Sequence, residues 1–109
     1  MIQIPDFFKN IDVSITVCDT EGIVVYMNEK SKSVFGDKTG QSMMPCHQPR
    51  SQEIIRRMIE KDENHIYTIS KNGLKKLIYQ TPWHEDGKVM GLIEYSMVIP
   101  EEMPHYVRS

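Results

Sequence analysis

Cys46 and His47 are the two residues of this 109-residue chain whose side chains offer the most chemistry in the least space. They are adjacent in Pro45-Cys46-His47-Gln48-Pro49, directly before a segment that reads as a helix. A helix N-terminus lowers a thiol pKa, so a reactive or ligating pair is conceivable at that position. Neighbours in sequence seldom aim at one atom, however, and a metal site needs several convergent ligands. The chain has no Cys-x-x-Cys or His-x-x-x-His spacing to supply them. A structural turn is the simpler reading: the two prolines stiffen it, and His47 caps a carbonyl or packs on a sheet. A haem would require His47, or His65, to point into an apolar cavity.

The other titratable groups form no catalytic pattern. His65, His84 and His105 have no carboxylate or cysteine at ligand spacing and read as surface or strand-end residues. Glu53, Glu60, Asp62 and Glu63 fall on the polar side of a helix, where a solvated surface outweighs acid–base work. No Gly-rich phosphate loop or Ser-His-Asp arrangement is present. The sequence therefore reads as a non-enzyme.

Composition sets the class. With 39% hydrophobic and 26% charged residues, the chain is globular and of a size for one domain. Its 13 basic and 15 acidic residues are scattered, with no basic stripe to neutralise phosphates, so a nucleic-acid partner is not expected. Met1 to Asn10 is too polar for a signal peptide, so neither a membrane partner nor export is expected, and a cytoplasmic location is the default. Cys18 and Cys46 then read as thiols. Eight methionines suit irregular core packing, and some could line an adaptable pocket.

The elements that must position these groups follow from periodicity. Val13, Ile15 and Val17 alternate with polar partners, predicting a strand with one buried face; Asp19 to Gly22 turn the chain into a second strand, Ile23 to Met27. Asn28 is an N-cap for a short helix that ends at Gly36. Residues 37 to 50 show no sustained period and predict a loop, with at most one helical turn. From Ser51 to Asp62, Ile54, Ile55, Met58 and Ile59 form an apolar stripe, predicting the longest helix. Strands follow over His65 to Lys71, Leu74 to His84 and Lys88 to Ile99, joined at Asn72-Gly73 and Asp86-Gly87.

This order, and the wording of two hairpins, resembles the PAS family. Ile15 to Asn28 looks like its opening, in which an Asp and a Gly bracket the turn and an Asn caps the first helix, and Val34-Phe35-Gly36 looks like that helix's end. Asp86 to Glu94 resembles its last hairpin, where Gly91 permits close approach of neighbouring backbone. The Cys-His-x-Pro segment at Cys46 resembles one PAS subgroup. Light-reactive flavin domains instead carry Gly-x-Asn-Cys-Arg-Phe-Leu-Gln, whose Asn, Arg and Phe are missing beside Cys46, so a light-reactive flavin is not expected.

The resemblance implies an α+β fold: a five-stranded antiparallel sheet with a helical segment between strands 2 and 3, and a pocket between them. It divides the chain into an N-terminal cap over residues 1–10, the domain over 11–100 and a tail over 101–109. Cys46, His47, Met43, Met58, Tyr79 and Trp83 are the candidate pocket or rim residues. Phe7, Phe8, Ile93, Tyr95 and Met97 are the candidate interface, because both faces of the last strand carry apolar groups and the outer one needs covering by the N-terminal segment, the tail or a second subunit. The implied function is sensing of a small ligand or cofactor, with signalling through a homodimer to a separate effector protein. The alternative is a ligand-free dimerisation module. Which cofactor, if any, is left open by the residues.

Overall fold

A computed structural model describes residues 3–43 and 49–109; Cys46 and His47 lie outside the described residues. A short helix α1 (Asp6–Lys9) precedes strands β1 (Ser14–Asp19) and β2 (Val24–Met27). Helices α2 (Glu29–Phe35) and α3 (Pro49–Lys61) come next, followed by β3 (His65–Lys71), β4 (Leu74–Glu85) and β5 (Lys88–Val98). The strands form one antiparallel sheet in the order β2-β1-β5-β4-β3. This is the α+β arrangement that the resemblance implies. Among the described residues no helix is long and apolar enough to cross a membrane.

Turn chemistry builds the sheet locally. Asp19 accepts hydrogen bonds at one carboxylate oxygen from the backbone N–H of Glu21 (2.9 Å) and of Ile23 (3.0 Å), which folds β2 back onto β1. Asn72 and Gly73 both have positive φ, 52° and 77°, as do Asp86 and Gly87, 52° and 76°. Paired positive φ values are what a two-residue hairpin loop needs to match strand twist. Gly91 meets the demand for close approach: a Cβ there would lie 1.9 Å from the carbonyl oxygen of Cys18 on β1.

Each helix has its own stop. Gly36, at φ 76°, ends α2 and donates its N–H to the Lys32 carbonyl. Asp62, at φ 55°, ends α3, and the Glu63 N–H reaches back to the Met58 carbonyl at 3.2 Å. Helix α3 starts at Pro49, two residues before the expected Ser51, because a proline in the first helical turn lacks only an N–H that would have no helical partner.

Two bulges set which side chains share a face. Between β1 and β2 the register changes so that Val25 is the extra residue, and between β4 and β5 the extra residue is Met90. Beyond the second bulge Gln80 faces Glu94 and Thr81 faces Ile93. One face, here called inner, therefore carries Cys18 and Leu92 in a first row, then Thr16, Glu94, Gln80 and His65, then Ser14, Ser96, Ile78 and Tyr67. Helix α3 covers the first row, where Ile55 and Met58 pack with Cys18 and Leu92 into the apolar core. The expectation of one buried face for β1 is corrected: Ser14 and Cys18 on one side and Ile15 on the other are all buried.

Asn28 ties these parts together. Its side chain is 0% exposed and all four of its hydrogen-bonding sites are used. The oxygen accepts from the N–H groups of Ile15 and Ser31, both at 3.0 Å, and the nitrogen donates to the carbonyls of Phe8 at 3.0 Å and Val13 at 2.8 Å. Asn28→Ala would leave two N–H groups and two carbonyls without this partner. Losses of about 1–3 kcal/mol per orphaned buried group predict a total of at least ~3 kcal/mol in urea unfolding. Asn28→Ser, which keeps the helix cap but not the two donors, should fall between wild type and Asn28→Ala.

Candidate functional site

Below the row covered by α3, the sheet and the helical segment separate. The resulting cavity has a volume of about 340 Å³ and is bounded by the inner sheet face, the end of α2 and residues 38–43. By contrast, the space between the first and second rows beneath Ile55 amounts to only about 10 Å³. Room for a small molecule thus lies toward β3 and α2, not under α3.

The cavity wall is mainly apolar. Val24 and Met27 contribute from β2, Phe35 from the last turn of α2, Met43 from the connecting segment, and Ile69 and Ile78 from β3 and β4. Strand alternation explains Ile69 and Ile78, and the N-cap at Asn28 fixes the rotation of α2 that turns Phe35 inward. Thr16, Tyr67, Glu94 and Ser96 supply polar atoms from the sheet, and Lys38, Lys71 and Lys76 also line the space.

A hydrogen-bonded row crosses the sheet beside it. Gln80, only 6% exposed, donates from Nε2 to Glu94 Oε1 at 2.7 Å and to the Tyr67 hydroxyl at 3.3 Å. The Gln80 Oε1 lies 3.1 Å from His65 Nδ1. On the other side of Glu94, the Thr16 and Ser31 hydroxyls are 2.5 Å apart, which links β1 to α2. A buried amide that touches both a carboxylate and a phenol has little rotational freedom, so the row presents its polar atoms in fixed positions. Burial pushes the Tyr67 phenol above its ordinary pKa, and the nearby Glu94 charge adds to the rise. Burial likewise raises the Cys18 thiol, with Asp19 and Glu94 contributing, against a backbone hydrogen bond with Leu92 that lowers it.

The structure distributes the sequence-predicted residues unevenly. Met43 lines the cavity. Met58 belongs to the α3 core cluster, where it packs with Ile55, Cys18 and Leu92 rather than on the cavity wall. Tyr79 and Trp83 are placed differently from expectation: they alternate with Ile78 and Gln80 and so stand on the outer face. Trp83 instead uses its indole N–H as a brace, donating to the Cys18 carbonyl at 3.1 Å past the side-chain-free Gly91. Ile93, Tyr95 and Met97 also lie on the outer face, half-buried. Phe7 and Phe8 are 65% and 48% exposed, and α1 buries no residue, so this helix leaves its aromatic pair in solvent instead of covering the sheet.

Sequence reading missed Glu94, Gln80, Tyr67 and Ser96. Polar residues in the middle of two strands joined by a tight turn were the available signal. It also missed the pairing of His84 Nε2 with both Asp62 carboxylate oxygens at 2.9 Å, which joins the end of α3 to β4 across 22 residues of sequence. Among the described residues no three His, Cys, Asp or Glu side chains cluster as metal ligands do.

Comparison with known proteins places this geometry. A family model described as "PAS fold" matches residues 8–102. No curated protein matches the chain in sequence. Among solved structures, the VqmA dimer of Vibrio cholerae is 19% identical with a TM-score of 0.69 over 95% of this chain and 55% of that one. A structure of VqmA bound to DPO is 19% identical with a TM-score of 0.68, covering 86% of this chain and 56% of that one. The PAS domain of Bordetella pertussis BvgS is 17% identical with a TM-score of 0.68, covering 88% and 83%. This chain spans little more than half of VqmA, and the likeness to all three is one of fold.

The two raised pKa values have a measurable consequence. Cys18 and Tyr67 are neutral when protonated, and folding lifts each above its ordinary value of 9.0 or 10.0. Their contribution to stability is therefore whole below those values and is lost as pH rises through them toward the folded values. The urea midpoint should decline across that alkaline range, and less steeply in Tyr67→Phe. At neutral pH iodoacetamide should leave Cys18 unmodified in the folded chain and alkylate it in urea, as peptide mass mapping would read.

Proposed function

The chain belongs to the PAS fold family, and on that premise we propose that it is a sensory module that binds a small molecule between sheet and helices and signals through its outer sheet face. The cavity of about 340 Å³ carries this reading. Its size falls in the range of small-molecule sites, roughly 300–1,000 Å³, and an apolar wall with a few fixed polar groups is how such sites hold and orient a ligand. A module that only joined proteins would have no need to keep that space open against packing.

The outer face supports the second half of the reading. Ile93, Tyr95 and Met97 on β5 adjoin Leu77 and Tyr79 on β4, with the half-exposed Ile66 on β3 beyond them. An apolar sheet surface left open by α1 suits contact with a second copy of the chain, and the exposed Phe7 and Phe8 are further apolar groups that such a contact could use. A ligand on one side of a sheet one strand thick can alter contacts on the other through shared backbone. The chain acts as a regulator without catalysis of its own, and its response is executed by a separate effector protein.

VqmA is described as a dimer with a target DNA and as bound to DPO. Its small ligand is consistent with a sensing cavity here. A DNA partner is not proposed for the present chain, which has a net charge of −2 with no basic stripe.

Native mass spectrometry of freshly purified protein, with an absorption spectrum, tests both halves. The expected result is a dimer, twice 12.7 kDa, carrying a small molecule that is absent from Ser96→Phe, a substitution that fills the cavity at a buried lining position. A dimer free of any ligand would favour a plain interaction module, and a monomer would contradict the outer-face contact.

A further inference from the structure

We propose that the ligand of this cavity presents an N–H donor, as an ammonium, amide or heteroaromatic N–H, to the carboxylate of Glu94. The proposal rests on the reading of the cavity as a ligand site and specifies the chemistry of its end on the sheet. Glu94 lines the cavity from the middle of β5, in the central part of the sheet between β1 and β4. A carboxylate has roughly four acceptor sites. Among the described residues its hydrogen-bond partner is one neutral donor, Gln80 Nε2 at 2.7 Å, and no cationic side chain pairs with it. Gln80 is itself locked by Tyr67 and His65, so it holds Oε1 in place and leaves the other oxygen for a ligand.

The neighbours reinforce this direction. The Thr16 hydroxyl, opposite Glu94 on β1, is engaged with Ser31, and the Tyr67 phenol accepts from Gln80. The groups around Glu94 therefore neither neutralise nor saturate it. A half-buried carboxylate in that state, set in a mainly apolar wall, favours a donor and repels a second anion. The lysines sit at the other end: Lys76 is four residues along β4 from Gln80, about 14 Å at ~3.4 Å per residue, and Lys71 and Lys38 are exposed. They suit an acceptor or acidic group directed outward, so charge orients the ligand with its donor end on the sheet.

Benzylamine, benzamide and benzoate share one ring and differ only in the group offered, which makes them suitable probes for saturation-transfer NMR titration of the full chain. The ratio of benzylamine to benzoate affinity should fall about tenfold on Glu94→Gln, as expected for loss of a charge-assisted hydrogen bond. Benzamide should bind wild type more tightly than benzoate. Ser96→Phe should weaken all three, which shows that they occupy the cavity. A ratio unchanged by Glu94→Gln, with binding still sensitive to Ser96→Phe, would overturn the donor assignment and leave the cavity as a ligand site. Failure of all three probes to bind wild type would instead overturn the ligand-site reading itself.

Discussion

Asn28 is the point at which four stretches of chain meet. The end of α1, the residue before β1, the first residues of β1 and the first turn of α2 all send a backbone group to its one buried amide. Its orientation is fixed by that chemistry, since a flipped amide would set nitrogen against N–H groups and oxygen against carbonyls. What depends on it is the shape of the site. The amide holds α2 against β1, brings Ser31 to Thr16, and so turns Phe35 toward the sheet as one wall of the cavity. The same side chain anchors α1 at the Phe8 carbonyl, where Phe7 and Phe8 project into solvent. One residue thereby links the wall of the cavity to the N-terminal helix.

The sheet divides labour by row as well as by face. Its first inner row is apolar and closed by α3, which buries Ile55 and Met58 and gives the domain its core. The second row is polar and cross-linked through Gln80, and the third opens onto the cavity. A polar row inside a small domain is costly unless its members bond to one another, and Gln80 bonds to His65 and Glu94 within the row and to Tyr67 in the next, leaving Glu94 with further acceptor capacity. Packing is therefore strongest beside α3, and the cavity sits beyond the polar row, between the third row and the end of α2.

Much of the fold was legible in the sequence because local chemistry dictates it. Asn28 and Gly36 bound α2, Asn72-Gly73 and Asp86-Gly87 force tight hairpins, and Gly91 sits where a side chain would strike β1. The site was less legible for one main physical reason. Counting outward from the Asp86-Gly87 turn without an irregularity would pair Gln80 with Ile93 and send Glu94 to the face of Tyr79. The bulge at Met90 adds one residue and brings Glu94 beside Gln80. No residue type at Met90 announces that bulge. Aromatic size drew attention to Tyr79 and Trp83, which face away from the cavity, while Gln80 and Glu94 looked like ordinary strand polarity. Cys46 and His47, the most reactive pair in the sequence, fall outside the described residues.

On the function proposed above, the inner face of this PAS domain holds a small molecule against the Glu94–Gln80 row. A crystal structure of the chain purified from its native cells tests that most directly. Density for a small molecule is expected between Ile78, Met43 and the second inner row, with a donor atom within hydrogen-bonding distance of Glu94. A cavity closed by inward movement of α2, with Glu94 turned to a side chain of the protein itself, would contradict it.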